Sequence, residues 1–475
     1  MKKFTNVLAV LLALVMCLGI VVACAAEDEK GSDDATTTTV ANTTKAPTTT
    51  KAPDTTTAEE TTTEAPIVYN FEPKVAVPAD GMITNADQLH AVLVLGAADQ
   101  NYTVNATTID MAGLGWVGIK GYTGIFDFGN CTIKNASFPM FTSVLGGTVK
   151  NLTLADSKQV YTDDDAQEDK DLIPLTDAGA THCRVYGGVI RYMNEGTISN
   201  VTIESTVDIS ADIWLNDSYV GGIVAYAKGT NVRVENCTFK GNLTTDSAKI
   251  FVGGVAGCIE SGDASSHNAE APDQSSCIAI NCTNYGTVTD LGYNEDAKVG
   301  GVVGALGSGA AYKCANYGTV SSNNKGQTAG VIGHTLNELT YMYCLNAGTV
   351  KGGNAYVGGV CGYSNGTVRN FVGCVNVGSV ACNEGLSTDR VGGIIGWLRK
   401  NEVVTNCYNL TTGTANFIYC KAPLDPADPT THVSEGTPVI TGCANLDTVD
   451  AVLAAVEATH PGVFVKDGTS LKLAQ

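Results

Sequence analysis

The chain has 475 residues, of which only 16% are charged, and its 28 basic and 48 acidic side chains leave a net charge of -20. That balance excludes a nucleic-acid binder and a site that grips a polyanion with basic side chains. The length leaves room for one large domain once the N-terminal segments are set aside.

Lys2 and Lys3 precede an apolar run from Val7 to Val22, followed by small residues at Ala23, Cys24, Ala25 and Ala26. Residues 1–23 therefore read as a signal peptide rather than a membrane span. Two cleavage readings stand. Val21-Val22-Ala23-Cys24 looks like a lipobox, which leaves Cys24 as a lipid-bearing N-terminus, and Ala23-Cys24-Ala25 also fits an A-x-A site cut after residue 25. Either outcome exports the protein, to the cell surface as a lipoprotein or as a secreted chain. Its only expected hold on a membrane is that lipid. Residues 24–66 are acidic and then rich in Thr and Pro, with almost nothing to bury, so they read as an extended linker.

Residues 67–157 change composition. Thr84-Asn85-Ala86-Asp87 resembles a capping box, and Leu89, Val92 and Leu93 follow at helical spacing, which predicts a short N-terminal helix. Strand-like runs follow at Thr108–Met111, Trp116–Ile119, Phe126–Ile133 and Leu152–Leu154. Residues 158–185 read as an acidic inserted loop. Asp163, Asp164, Asp165 and Asp169 make it a candidate Ca²⁺ loop, although the EF-hand order of Asp/Asn, Gly and closing Glu is missing and a solvated loop explains it as well. A second insertion is expected from Glu260 to Ser276.

Residues 186–445 repeat. Glycine pairs, or their equivalents, begin at Gly187, Gly221, Gly253, Gly300, Ala329, Gly358 and Gly392, spaced by 34, 32, 47, 29, 29 and 34 residues. Each copy continues into a turn and a cysteine with asparagine two places on: Cys282/Asn284, Cys314/Asn316, Cys344/Asn346, Cys374/Asn376, Cys407/Asn409 and Cys443/Asn445. Short β-branched runs separated by Gly and Asn are strands and turns. A period near 30 residues closes one coil of a solenoid, and a coil must stack on others to bury its apolar face.

Gly301-Val302-Val303-Gly304, Gly330-Val331-Ile332-Gly333, Gly359-Val360-Cys361-Gly362 and Gly393-Ile394-Ile395-Gly396 resemble the GLUG repeat of bacterial surface and secreted proteins. The resemblance implies an all-β, right-handed parallel β-helix, and the family includes adhesins and modules beside IgA-directed peptidases. The N-terminal order of helix, Ile-Asp-Met, Trp and Phe126-Asp127-Phe128-Gly129-Asn130 is also similar to that family. The chain departs from it in placing Val or Ile where the motif has Leu, and in Arg191 and Ala225 at the last glycine of the first two copies.

Residues 446–475 read as a C-terminal cap: Val449, Val452, Leu453 and Val456 predict a helix, and Asp467-Gly468 between Phe464-Val465 and Leu471–Leu473 predicts a hairpin. The fold expected is thus a solenoid with short helical caps at both ends. The asparagines are expected to form a ladder at a turn. Cys237, Cys282, Cys314, Cys344, Cys374, Cys407 and Cys443 hold one place in successive coils, where a cysteine acts as a small buried hydrophobe and parallel Cβ vectors disfavour disulfides. Zinc is disfavoured because no C-x₂-C pair exists.

One stripe has a functional option. The residue after each motif is Tyr192, Tyr226, Cys258, Ala305, His334, Tyr363 and Trp397, and its rings at coil spacing suit sugar stacking, the alternative being rings packed within the coil or at its corner. No catalytic constellation is visible: Asp290, Glu338 and Asp389 are isolated, and His182, His267, His334, His432 and His460 fit no triad order. No cofactor is expected. The reading is a surface-displayed adhesion or binding protein without catalysis, its partner a carbohydrate or a host or cell surface. A carbohydrate-active β-helix enzyme and a structural envelope spacer are the alternatives.

Overall fold

The computed structural model describes residues 67–474, apart from 163–183, 412–437 and the shorter stretches 214–217, 248–249, 262, 264–267, 269–270, 293–295, 354–355, 365–368, 384–390 and 399–401. The signal-peptide and linker readings, Cys24, and the acidic residues Asp163, Asp164, Asp165 and Asp169 all lie outside the described residues.

The described chain is an all-β parallel β-helix with a helix near each end. Val220, Val252, Val299, Thr328, Val357 and Val391 pair in unbroken parallel register, one per coil, so the repeat seen in the sequence is the coil itself. A second parallel sheet stacks Leu243, Val288, Val320, Val350 and Val380. The main apolar core runs through the coils from Ile83 to Cys407, and Val350, Val357, Val380 and Val391 of the two sheets form a smaller apolar cluster of their own. The inserted loop is shorter than its expected span of 158–185: Lys158–Tyr161 is a strand paired with Asp208–Ala211, and Val185–Gly187 is a strand paired with Tyr219–Gly221.

The glycine pair makes the coil possible. A Cβ on Gly301 would press on the carbonyl oxygen of Gly330 in the next coil and lie 2.8 Å from Asn316 Oδ1. Alanine replaces the first glycine once, at Ala329, whereas the second is glycine in every copy. The space cleared there holds the inner asparagine ladder. Asn284, Asn316, Asn346, Asn376 and Asn409 each donate from Nδ2 to Oδ1 of the asparagine in the following coil, at 2.7–3.0 Å. All five are fully buried, so the ladder satisfies amides that would otherwise be costly to bury.

The cysteines stack inward, as their spacing suggests. Each thiol donates to a carbonyl of the preceding coil, as Cys282 does to Val234 and Cys314 to Ala279, both at 3.3 Å. Burial pushes these thiols well above their ordinary range. Cys443 ends the column half-buried, and hydrogen bonding to Cys407 brings its thiol down to about 7.

A second, outer asparagine ladder escaped the sequence reading. Asn151, Asn200, Asn236 and Asn281 precede the core position of their coils at φ between 51° and 61°. Asparagine tolerates this left-handed corner well. Lys313, Tyr343, Gly373 and Asn406 occupy the same corner further on, also at positive φ.

The helix Ala86–Leu95 starts from Asn85, whose side chain accepts from the Gln88 amide, while Gln88 Oε1 accepts from the Thr84 N–H at 2.8 Å. The capping pair is thus Asn85 with Gln88, one residue beyond Thr84. Its Leu89, Val92 and Leu93 join the core beside Ile83. The C-terminal helix Val449–Thr459 and the hairpin Phe464–Asp467/Ser470–Leu473 form as expected but pack differently from an end cap. Val452, Val456, Phe464 and Leu471 bury against Ala315, Leu345, Val375 and Tyr408, one residue from each of four coils. The segment therefore folds back along a flank of the solenoid, because the outward residues after the cysteines there are apolar rather than the Thr202, Thr238 and Thr283 of earlier coils.

Candidate functional site

The glycine bend breaks the in-out alternation of a strand. Ile332 and Thr335 face the interior, where the Thr335 hydroxyl meets the Tyr341 hydroxyl at 2.6 Å, and His334 between them faces out. Its column is continuous: Tyr192, Tyr226, Cys258, Ala305, His334, Tyr363 and Trp397 pair coil to coil. Tyr192, Tyr226, Cys258 and Ala305 form an apolar cluster separate from the main core.

A second column lies beside it. Tyr219, Phe251, Lys298 and Gln327 stack in register on the strand entering the bend, and Tyr356 holds the next place. Together the columns make an outer corner with two ring clusters. In one, Tyr219 stacks on Tyr226 at 4.3 Å and on Phe251 at 4.8 Å, with Tyr192 5.8 Å from Tyr226. In the other, Tyr363 stacks on His334 at 4.9 Å and Tyr356 at 5.4 Å, and Trp397 lies 4.3 Å from Tyr356. The coil of Lys298 and Ala305, which carries no ring in either column, separates the clusters.

The corner is not a row of free rings. Tyr192, Tyr226 and Tyr363 are only 3%, 5% and 8% exposed, because neighbouring rings cover their faces. His334, Trp397, Tyr356, Tyr219 and Phe251 are half-buried and supply the accessible aromatic surface. The Tyr226 hydroxyl donates to Glu260 Oε2 at 2.6 Å, and burial pushes its pKa far up. Lys298 places Nζ 5.3 Å above the Phe251 ring and 2.6 Å from Asp296. Tyr219, Phe251 and Tyr356 were missed in the sequence. Their signal is an aromatic residue two places before the first glycine of the pair.

Asp290, an acid of the repeat region, does not face a cleft. Asp290 is 1% exposed and accepts from Thr245, Ser322, Asn324 and the Gly292 amide, so its carboxyl is enclosed rather than presented to a cleft. Asp389, His182, His267 and His432 lie outside the described residues, and His460 packs against Tyr343 on the flank. Among the described residues no three His, Cys, Asp or Glu side chains gather as metal ligands, and no helix is long and apolar enough to cross a membrane.

Burial raises the Asp290 carboxyl to about 6, against the ordinary 3.8. The unfolded chain therefore ionises first as pH rises, and the stability contribution of protonated Asp290 is lost between about pH 4 and pH 6, levelling above that. This window is expected to carry about 3 kcal/mol. Urea unfolding of the wild type and Asp290→Asn across pH 4–7 tests it: the wild type should show the additional decline and the variant should not.

No family model matches the chain, and neither does any curated protein. Among solved structures it is similar to a Bacteroides ovatus protein described as a "putative immunoglobulin A1 protease". The two are 16% identical over 82% of this chain and 91% of that one, with a TM-score of 0.40. A likeness at that level carries no argument about activity or ligand.

Proposed function

We propose that this chain is an exported, surface-displayed β-helix that binds glycan without catalysis, in the manner of GLUG-repeat surface proteins. The observation that carries the reading is the outer corner, where His334, Tyr356 and Trp397 keep part of their ring surface accessible within two packed columns. Aromatic rings of this kind receive the apolar faces of sugars, and rings locked by their neighbours lose little entropy on binding. The leader and the Thr/Pro-rich segment support display away from a membrane.

The test is a glycan array with turnover monitored on the same samples. Trp397→Ala and Tyr356→Ala are chosen over Tyr363→Ala because Tyr363 is buried and its loss would disturb the corner. Each is expected to weaken binding about tenfold, the equivalent of one good ring contact. Unchanged binding in both variants would remove the corner from the reading. Released product would replace the adhesin with a carbohydrate-active enzyme, and silence would favour an envelope spacer.

A further inference from the structure

The flank that carries the C-terminal segment also holds a groove of about 440 Å³, lined by Asn236, Asn281, Thr283, Tyr285, Lys313 and Leu473 among others. That volume is within the range of small-ligand sites. Its floor is the end of the outer asparagine ladder. Asn236 donates to Asn200 Oδ1 at 3.2 Å and Asn281 to Asn236 Oδ1 at 3.0 Å. The next coil has Lys313 at that corner, so among the described residues Asn281 Oδ1 ends the ladder as an acceptor with no donor. Lys313 makes no ion pair among the described residues, and its Nζ lies 5.6 Å from the Tyr312 ring centre. Thr238 and Thr283 add two half-buried hydroxyls in consecutive coils.

One wall is aromatic. Tyr285 stacks on Tyr317 at 4.8 Å and 12° yet remains 54% exposed. The other boundary is the hairpin, held by the Leu473 amide donating to the Tyr317 hydroxyl at 3.0 Å.

We infer that this groove is a saccharide-binding site, distinct from the corner, that takes a neutral, extended hexose chain. An exposed ring beside a row of amides, hydroxyls and one ammonium is the chemistry of sugar recognition: an apolar face for the ring, donors and acceptors for vicinal hydroxyls. Coils rise ~4.8 Å, close to the length of one hexose in an extended β-linked chain, so successive sugars would meet equivalent partners. An extended peptide fits less well. The backbone groups under the groove are already spent between coils, as in Thr283 N to Cys237 O and Ala315 N to Cys282 O, which leaves no strand edge to pair.

The inference extends the glycan reading to a second surface but does not depend on the corner. The experiment is calorimetric titration of the full chain with cellohexaose, mannohexaose and an uncharged ten-residue peptide, repeated with Tyr285→Ala, Asn281→Ala and Trp397→Ala. Tyr285 and Asn281 are exposed, so circular dichroism should show both variants folded. Binding of a hexaose that falls about tenfold or more in Tyr285→Ala, falls in Asn281→Ala and survives Trp397→Ala supports the groove. Undiminished binding in Tyr285→Ala, no binding of either hexaose, or peptide binding that depends on Tyr285 would overturn it. Loss in Trp397→Ala alone would overturn the groove while leaving the corner standing.

Discussion

Gly301→Val is expected to lower the unfolding free energy by about 3 kcal/mol or more, at the upper end of overpacking effects. The new side chain would meet the Gly330 carbonyl oxygen, Asn316 Oδ1 at 2.8 Å and a Val320 methyl at 2.9 Å. Two of these are rigidly placed, the carbonyl because the Ala329 and Val331 carbonyls on either side of it accept from Gly301 and Val302, and the amide by its ladder, so neither can give way cheaply. A solenoid adds a further cost, because each coil is stabilised by its neighbours and a damaged central coil uncouples those on either side. Gly307→Ala serves as the control, since the nearest atom to its added Cβ is 3.4 Å away. Chemical unfolding followed by circular dichroism measures both. Equal midpoints for the two variants would contradict the packing account of the glycine pair.

Asn346→Leu is expected to cost nearly as much, about 2–5 kcal/mol, for a different reason. It removes the acceptor of Asn316 Nδ2 at 2.8 Å and the donor to Asn376 Oδ1 at 2.7 Å, leaving two polar atoms in a fully buried setting. Asn445→Leu at the exposed end of the same ladder removes a single 3.0 Å bond and should cost far less. The difference between the two is the measurement of interest. If the end and the middle respond alike, the ladder contributes as separate side chains rather than through buried, mutually satisfied amides.

The two asparagine ladders show why some of this molecule was legible and some was not. The inner one repeats in every coil from Asn284 to Asn445, because each coil faces the same buried need, and so it stands out at a fixed distance from each cysteine. The outer one stops at Asn281, since a left-handed corner in solvent is also open to Lys313, Tyr343 and Gly373. With the residue type changing, only the shared positive φ reveals the column.

Facing was similarly hidden at the corner. Counting by twos places His334 ambiguously, and it is the non-alternating backbone of the glycine bend that turns it outward while Ile332 and Thr335 turn in. The accompanying column of Tyr219, Phe251 and Tyr356 became visible only when the strand entering the bend was seen against the strand leaving it.

The sequence by itself determined the parallel β-helix, its coil length, its cysteine column, its inner ladder and the existence of both terminal helices. These follow from constraints that act within one coil or one helix turn and recur along the chain. Tertiary structure alone decided that the C-terminal helix and hairpin lie along a flank instead of over the end. A helix pattern shows which face is apolar but not which surface will cover it, and here the apolar column at Ala315, Leu345 and Val375 won that contact. The groove beside Tyr285 exists because of that choice, since Leu473 reaches Tyr317 in its lining from 156 residues away along the chain.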